Sequence, residues 1–229
     1  MKNHLKRIAT PRTWSIARKQ EKFIVRPHPG GHSLEFSMAL GAILRDKLGL
    51  VQTLKEGQKM LHAQEVLVDG KRKKDRRDAV GLFDIISIPT IKKYYQINLS
   101  KKGKLEIVEI SEEASTNKIA KVLGKHVVSG GKMQLRLHDG KSILYDGEVK
   151  TGDSVSLDLS TKKVKSVLKR EIGAEIFLTQ GKHAGSTGTL KAIEGELARY
   201  VSKEDNKEVE TATRYLFVLG SGKSSSKAK

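Results

Sequence analysis

The chain has 229 residues, of which 44 are Lys or Arg and 26 are Asp or Glu, so its formal net charge is +18. This length permits one domain or a few small modules, and the charge favours a polyanionic partner, of which nucleic acid is the commonest. The absence of cysteine excludes disulfides, thiolate metal sites and cysteine nucleophiles, and a membrane is disfavoured because the sequence has no basic amphipathic helix, lipidation signal or apolar run of about 20 residues.

Residues 1–36 are predicted to form a basic arm that becomes ordered on its partner. The segment has no sustained apolar period, and its Pro and Gly residues divide it into extended pieces that bury little apolar surface. Trp14 has two interpretations: it stacks on an unpaired base, or it packs on the neighbouring module. The candidate RNA-binding residues of this segment are Lys2, His4, Lys6, Arg7, Arg12, Trp14, Arg18 and Lys19.

Residues 37–90 are predicted to form a module of two short helices and a β-hairpin. Apolar residues at helical spacing from Ser37 onward predict a first helix that ends at Leu48, with Gly49 as its stop. Thr53 with Glu56 predicts a capped second helix that ends near Leu61. Glu65–Val68 reads as a strand, and the Asp69-Gly70 pair that follows is a strong hairpin signal. A further strand, buried on both faces over much of its length, is predicted from Gly81 to Pro89.

A dense basic run follows this hairpin turn. Six of the seven residues from Lys71 to Arg77 are cationic, and they come after a compact pair of helices that would present them to phosphates. The alternative is a solvated loop on an ordinary α+β domain, and the basic arm favours RNA over that alternative. The candidate RNA-binding residues of this module are Arg45, Lys47, Lys71, Arg72, Lys73, Lys74, Arg76 and Arg77.

Beyond residue 90 the sequence predicts mainly short strands separated by Gly-containing turns. Their spacing suggests a small barrel or sandwich over 91–169 and a third β unit over 170–219, with a flexible basic tail at 220–229. The predicted strands are Tyr94–Leu99, Leu105–Ile110, Ile119–Leu123, Met133–Leu137, Ser142–Tyr145, Ser154–Asp158, Lys163–Leu168, Ala174–Thr179, Thr189–Ile193, Arg199–Val201 and Tyr215–Leu219, with an acidic turn before the last.

A glycine-rich loop between two strands of the third unit is a weaker candidate site. Glycine permits positive φ and a close backbone approach to a phosphate or a base, although such loops are also common in plain β-barrels. The candidate residues in this loop are Gly181, Lys182, His183 and Gly185.

The sequence gives no support for catalysis. The segment from Gly220 to Ser224 resembles a nucleotide-binding loop, but Phe217 occupies the position of its first glycine and too few residues follow for a helix. The seven histidines are scattered, without a metal-binding spacing. We therefore predict neither an enzyme nor a cofactor or metal site.

Several segments, in order along the chain, resemble the archaeal and eukaryotic small-subunit ribosomal protein family S-four-e. The resemblance extends from His4 to about Leu219 and is more specific than any single motif. The segments that carry it are His4–Arg7 with Pro11 and Trp14, Leu44–Leu48, Val66–Lys71, Gly81–Pro89, Gly130–Gln134, His138–Lys141 and Gly152–Val155.

The resemblance implies a multi-module α+β fold. Its parts would be the basic N-terminal arm, an S-four-type RNA-binding module of two helices and a β-hairpin, a small barrel-like central β-domain, and a C-terminal SH3-like KOW barrel. It also implies a cytoplasmic, ribosome-bound protein whose partners are small-subunit ribosomal RNA and neighbouring ribosomal proteins, with no membrane, small-molecule substrate or cofactor. His183 stands where the family usually has Asn, so the KOW loop could face RNA or protein. The short tail resembles archaeal members.

Two other functions remain open at this stage. An RNA-modifying enzyme could carry an S-four-type module as a targeting arm, but residues 90–219 offer no acid–base cluster. A KOW-bearing transcription or translation factor could contain both modules. Co-sedimentation through moderate salt washes would distinguish a ribosomal protein from a factor that cycles on and off the ribosome.

Overall fold

A computed structural model of the chain describes residues 4–63, 66–203 and 206–220. The chain folds into two compact units. Unit 1 comprises Met1–Asn98 and Lys104–Lys118, and unit 2 comprises Leu99–Gly103 and Ile119–Lys229. Three sequence predictions lie outside the described residues: the Lys2 contact, Glu65 as the start of a strand, and the tail beyond Gly220.

The described part of the N-terminal segment is folded within unit 1. Strands β1 (Leu5–Lys6) and β2 (Phe23–Ile24) pair antiparallel. Trp14 is only 2% exposed, and its indole N–H donates a hydrogen bond of 3.1 Å to the carbonyl oxygen of Leu34. The expectation of an arm ordered only by its partner is therefore corrected, because Trp14 supplies a large apolar surface that packs within unit 1.

The first helix is shorter than predicted. Residues Ser37–Ala39 form strand β3, paired with Ala79–Gly81, and helix α1 (Leu40–Ala42) follows and continues as a π-helical turn over Ile43–Lys47. The first three residues form a strand and not a helix, because their backbone groups form hydrogen bonds with a segment about forty positions away. Helical periodicity is a local pattern and does not reveal this pairing.

Helix α2 (Leu54–Ala63) begins at the predicted capping box. The backbone N–H of Glu56 donates to Thr53 Oγ1 at 3.2 Å, and the N–H of Thr53 donates to Glu56 Oε2 at 3.2 Å. These reciprocal bonds satisfy N–H groups that have no partner inside the helix, so the predicted start is confirmed.

A five-stranded sheet completes unit 1. Its order is β5-β4-β7-β8-β9, and the two-residue turn at Asp69 and Gly70 has positive φ at both positions, which confirms the predicted hairpin. The strands after α2 are β4 (Leu67–Val68), β5 (Lys71–Arg72), β6 (Ala79–Gly81), β7 (Ile85–Ile88), β8 (Lys93–Leu99) and β9 (Leu105–Ile110), followed by helix α3 (Glu112–Ser115).

Two predictions about this sheet need correction. The strand predicted from Gly81 to Pro89 is only β7, while Gly81 is the last residue of β6, which pairs with β3. The chain turns between them because the Asp84 carboxylate accepts a 2.7 Å hydrogen bond from the N–H of Gly81. Strands β8 and β9, which were predicted to belong to the central domain, extend the sheet of β4 and β7, with Ile85 paired to Gln96.

Unit 2 contains two five-stranded sheets. The first has the order β12-β11-β10-β13-β14 around a buried cluster that includes Val122, Leu135 and Val155. Its strands are β10 (Asn117–Val127), β11 (Met133–Leu137), β12 (Ser142–Leu144), β13 (Ser154–Asp158) and β14 (Val164–Leu168).

The second sheet of unit 2 has the order β18-β17-β16-β15-β19, and Ile176, Leu190 and Tyr200 are buried in its core. Its strands are β15 (Glu175–Leu178), β16 (Thr187–Glu194), β17 (Leu197–Ser202), β18 (Glu208–Ala212) and β19 (Leu216–Gly220). The segment predicted as an acidic turn is in part β18, an edge strand whose acidic residues remain at the surface. Among the described residues, no helix has the length and apolar character needed to cross a membrane.

Candidate nucleic-acid interface

One side of helix α2 is a row of exposed basic side chains. Lys55, Lys59 and His62 follow one another at four- and three-residue intervals and are exposed, whereas Gly57 and Leu61 are buried on the other side. Residues three or four apart lie above one another on a helix. The helix therefore presents these groups together along one edge.

The basic run after the hairpin lies opposite this row across an open groove of about 1100 Å³. Gln58 joins the two walls, since its Nε2 donates to the carbonyl oxygen of Lys74 at 2.8 Å and its Oε1 accepts from the N–H of Arg76 at 3.4 Å. The groove is lined by Lys55, Gln58, Lys59, His62, Ala63, Lys74, Asp75, Arg76 and Arg77.

The backbone of the run is also fixed on its other side. The N–H of Gly41 donates to the carbonyl oxygen of Arg76 at 2.8 Å, and a Cβ at position 41 would lie 2.9 Å from Arg76 Cβ. Arg77 Nε donates to the carbonyl oxygen of Arg26 at 3.2 Å. Glycine at position 41 thus allows α1 and the run to approach closely, which holds the basic side chains in place.

Asp75, the one acidic residue of the run, stabilises its turn. Its carboxylate accepts a 2.8 Å hydrogen bond from the N–H of Arg77 and lies 3.1 Å from His28 Nε2. The hydrogen bond from the Arg77 N–H, helped by the His28 contact, holds the pKa of Asp75 below its usual value, although burial opposes this shift. Asp75 is therefore a turn-forming group within a cationic surface.

Two predicted RNA contacts of the N-terminal segment are buried. The guanidinium of Arg7, a residue 3% exposed, lies 3.1 Å from Glu21 and 3.5 Å from Asp46. Trp14 is buried as described above. The packing alternative for Trp14 therefore replaces the stacking interpretation, and Arg7 is corrected to an internal ion-pair residue.

Arg45 and Lys47 also make internal contacts. Arg45 Nε donates to Asp46 at 2.7 Å, and this bond raises the pKa of Arg45. Lys47 Nζ donates to the carbonyl oxygen of Ser15 at 2.5 Å, and partial burial lowers the pKa of Lys47. Both cations join the N-terminal segment to the π-helical turn, which reduces their availability to phosphates.

Most of the other predicted cations lie at the surface. Arg18, Lys73, Arg76 and Arg77 are half-buried; Arg18 donates to the carbonyl oxygen of Pro11 at 3.1 Å, and Lys73 Nζ lies 3.8 Å from Asp78. The exposed members of the set are His4, Lys6, Arg12, Lys19, Lys71, Arg72 and Lys74.

The glycine-rich loop of unit 2 lies close to another segment of the same unit. Gly181 and Gly185 both have positive φ, and a Cβ at Gly185 would overlap the carbonyl oxygen of Ser100. Lys182 and His183 are exposed at the tip. The requirement for glycine at position 185 is thus explained by packing against the Leu99–Gly103 turn, without a ligand.

The comparisons with known proteins agree with the sequence resemblance. Residues 1–35 match the RS4NT (NUC023) domain and residues 91–164 match ribosomal family S4e, the S-four-e family named above. The small ribosomal subunit protein eS4 of Methanocella arvoryzae is 40% identical over 222 residues, which cover 95% of this chain and 94% of the relative. The chain belongs to the ribosomal S4e family.

Other S4e proteins show the same extent of similarity. The eS4 protein of Methanosphaera stadtmanae is 37% identical, with 97% of this chain and 94% of the relative covered. The crystal structure of the 30S ribosomal protein S4e from Thermoplasma acidophilum superposes with a TM-score of 0.69 at 28% identity, and covers 81% of this chain and 95% of that chain. The described fold, mostly β-sheet with few helices, is thus similar to a solved S4e fold.

The groove in this S4e chain includes residues that the sequence pattern did not single out. Lys55, Gln58 and Lys59 were predicted only to belong to a helix and His62 was counted among the scattered histidines, yet all four line the groove. Their spacing on one helix edge was the available signal. Nothing local indicated that the basic run would face this edge, because the bonds made by Gln58 join residues 16 and 18 positions apart.

Proposed function

We propose that this protein is a non-catalytic structural constituent of the small ribosomal subunit that binds ribosomal RNA. The observation that carries the proposal is the groove between α2 and the basic run, whose two walls place cations opposite each other. The S4e relatives are named as small ribosomal subunit proteins, and the +18 charge of the chain calls for a polyanionic partner.

The groove suits a phosphate backbone for two reasons. Lys55 and Lys59 on one wall and Lys74 on the other are exposed, so a strand that lies between them meets positive charge on both sides. Each phosphate that these cations neutralise releases condensed counterions, which favours binding without regard to sequence. Because Gln58 fixes the walls to each other, little ordering is needed when RNA binds.

The finer organisation belongs to the same proposal. We assign RNA binding in the S-four-type module mainly to the groove and to the exposed cations of the basic run and the N-terminal segment. The sheet β15–β19 corresponds to the KOW barrel expected over 170–219, and the sheet β10–β14 to the central domain. The partners would be ribosomal RNA and neighbouring ribosomal proteins, on ribosomes in the cytoplasm.

The test is co-sedimentation with small subunits after a moderate salt wash. We expect the wild-type chain to remain with the subunit, and the triple variant K55Q/K59Q/K74Q to be released at lower salt. The matched control is K132Q/K163Q/K165Q, which removes three exposed lysines from unit 2. Release of both triple variants at the same salt concentration would contradict the groove as the main contact, and failure of the wild type to sediment would contradict the function itself.

A further inference from the structure

A second cavity lies in unit 1, next to the groove. Its volume is about 320 Å³, and it is bounded by the N-terminal segment and the basic run. Arg76 and Arg77 line both this cavity and the groove. The two cationic depressions are therefore adjacent, separated by the same two arginines.

Phe23 gives this cavity an aromatic wall. Ile24 on strand β2 points inward and is 6% exposed, so strand alternation turns Phe23 outward, where it is 45% exposed. The His4 ring lies 5.6 Å from the Phe23 ring at an interplanar angle of 56°, and Lys22 Nζ lies 5.5 Å from its centroid. This exposed aromatic ring, with the Lys22 ammonium over it, provides a stacking surface in a cationic setting.

The charge around Phe23 is mostly positive. Arg26, Arg45, Arg76 and Arg77 line the cavity, and Glu21 is the one carboxylate among the lining residues. Glu21 lies 3.4 Å from Arg45 NH2 and is thereby engaged by an arginine. The arginines of the cavity, next to the Phe23 ring, suit a ligand that combines an aromatic ring with a phosphate.

We propose that this cavity binds one unpaired nucleotide of a single-stranded RNA segment, with its base stacked on Phe23 and its phosphate at Arg76 and Arg77. This inference rests on the proposed function and names the form of RNA bound beside the groove. Stacking on an aromatic ring accepts any base, because every base has a π face. In a duplex those faces are covered by neighbouring base pairs, so a paired base cannot enter.

The size of the cavity supports a single nucleotide. Its 320 Å³ is at the lower end of the range of about 300–1,000 Å³ for small-molecule pockets. The strand would leave the cavity across Arg76 and continue into the groove, where only its phosphates are contacted. Phe23 thus takes the stacking role that one interpretation of the sequence offered to Trp14.

The experiment compares two RNA probes on the full-length chain. Fluorescently labelled oligouridylate serves as the single-stranded probe, since uridines stack weakly on one another, and a mixed-sequence duplex RNA serves as the second. We expect F23A to weaken oligouridylate binding about tenfold, which corresponds to about 1.4 kcal/mol, and F23W to retain wild-type affinity. Duplex binding should stay within about twofold in both variants, because phosphate contacts are unchanged.

The matched control is I8A, which truncates another exposed apolar residue of unit 1; thermal melts should show F23A and I8A equally folded. Ultraviolet cross-linking of oligouridylate to the wild-type chain gives a result that needs no variant, and we expect the cross-linked peptide to contain Phe23. Cross-linking elsewhere, an unchanged oligouridylate affinity in F23A, or an equal loss on duplex RNA would overturn the inference and leave the proposed function intact. A wild-type chain that binds neither probe nor small-subunit rRNA would contradict the proposed function.

Discussion

Lys118 has no exposed surface, and its ammonium group lies 2.5 Å from Asp69 Oδ2 and 2.6 Å from Asp84 Oδ1. His32 Nε2 lies 3.1 Å from Asp84 Oδ1. Burial, the largest single effect, would raise the pKa of Asp84, but Lys118 and His32 together lower it below its usual value, so its carboxylate is charged at neutral pH. The network joins the Asp69-Gly70 hairpin turn, from which the basic run continues, to the turn between β6 and β7.

Substitution of this lysine is predicted to destabilise unit 1. K118M removes the ammonium group that lies between two buried carboxylates, and the removal of one partner of a buried pair typically costs about 3–5 kcal/mol. Urea denaturation should show this loss, whereas K102M, at an exposed lysine, should change the free energy of unfolding by no more than about 0.5 kcal/mol. Equal stability of K118M and the wild type would contradict the role of the network.

Lys121 is a buried cation in unit 2, and its contribution to stability should depend on pH. Burial, with a smaller contribution from Arg170, lowers the pKa of Lys121 to about 8, although its Nζ donates to the carbonyl oxygen of Arg214 at 2.7 Å. In the unfolded chain a lysine has a pKa of about 10.4. At pH values between the folded and the unfolded pKa, Lys121 therefore binds more protons in the unfolded chain than in the folded chain. Stability should therefore increase as the pH rises from about 8 to about 10.4.

K121M should remove this dependence, whose limiting slope is about 1.4 kcal/mol per pH unit. Denaturation midpoints measured between pH 7 and pH 11 for the variant and the wild type provide the measurement. A wild-type profile parallel to that of K121M throughout this range would show that Lys121 titrates normally in the folded state.

At the element scale, the basic run and helix α2 carry eight of the 22 Lys and Arg residues of unit 1. The positive φ values of Asp69 and Gly70 fix the hairpin, and the reciprocal bonds of Thr53 and Glu56 fix the start of α2. Each element is thus determined locally. The groove exists only because Gln58 and Gly41 then place the basic run beside the helix.

The element that contributes most to RNA binding is predicted to be the basic run. Neutralisation of Lys71, Arg72, Lys73, Lys74, Arg76 and Arg77 should weaken binding to an rRNA fragment, because charge-assisted contacts are typically worth about 1.5–3 kcal/mol each before desolvation losses. A variant with Lys182 and His183 replaced should lose less, since it removes one lysine and one histidine, whereas the first variant removes six cations. Thermal melts check folding, and a larger loss for the loop variant would reverse this order.

At the scale of the whole molecule, the net charge of +18 predicts a strong dependence of RNA affinity on salt. Each phosphate contact should contribute about 0.7–0.9 to the slope of log affinity against log salt concentration. The variant K55Q/K59Q/K74Q should therefore reduce the slope by about 2–3, and the control K132Q/K163Q/K165Q should not. A salt titration on an rRNA fragment that gives a flat line for the wild type would contradict phosphate-dominated binding.

The sequence by itself determined the family, the hairpin turn at Asp69-Gly70, the capping box of α2 and most strands of unit 2. These features depend on residues within a few positions of each other, or on motifs whose order along the chain is that of the family. The sequence did not determine the exposure of individual side chains. Arg7 was predicted to be a surface residue and is buried, and Trp14, for which packing and base stacking were both open, is buried as well. Phe23, by contrast, is exposed in a cationic cavity.

Only the tertiary structure decided which strands share a sheet, which cations face one groove and which are neutralised by internal partners. Strand β8 pairs with β7 across the predicted domain boundary, and Lys118 meets a carboxylate 49 positions away. Burial and charge pairing depend on residues that are distant along the chain and become neighbours only when it folds. Local composition fixes the amount of positive charge on this protein, and long-range packing fixes which part of that charge is available to bind RNA.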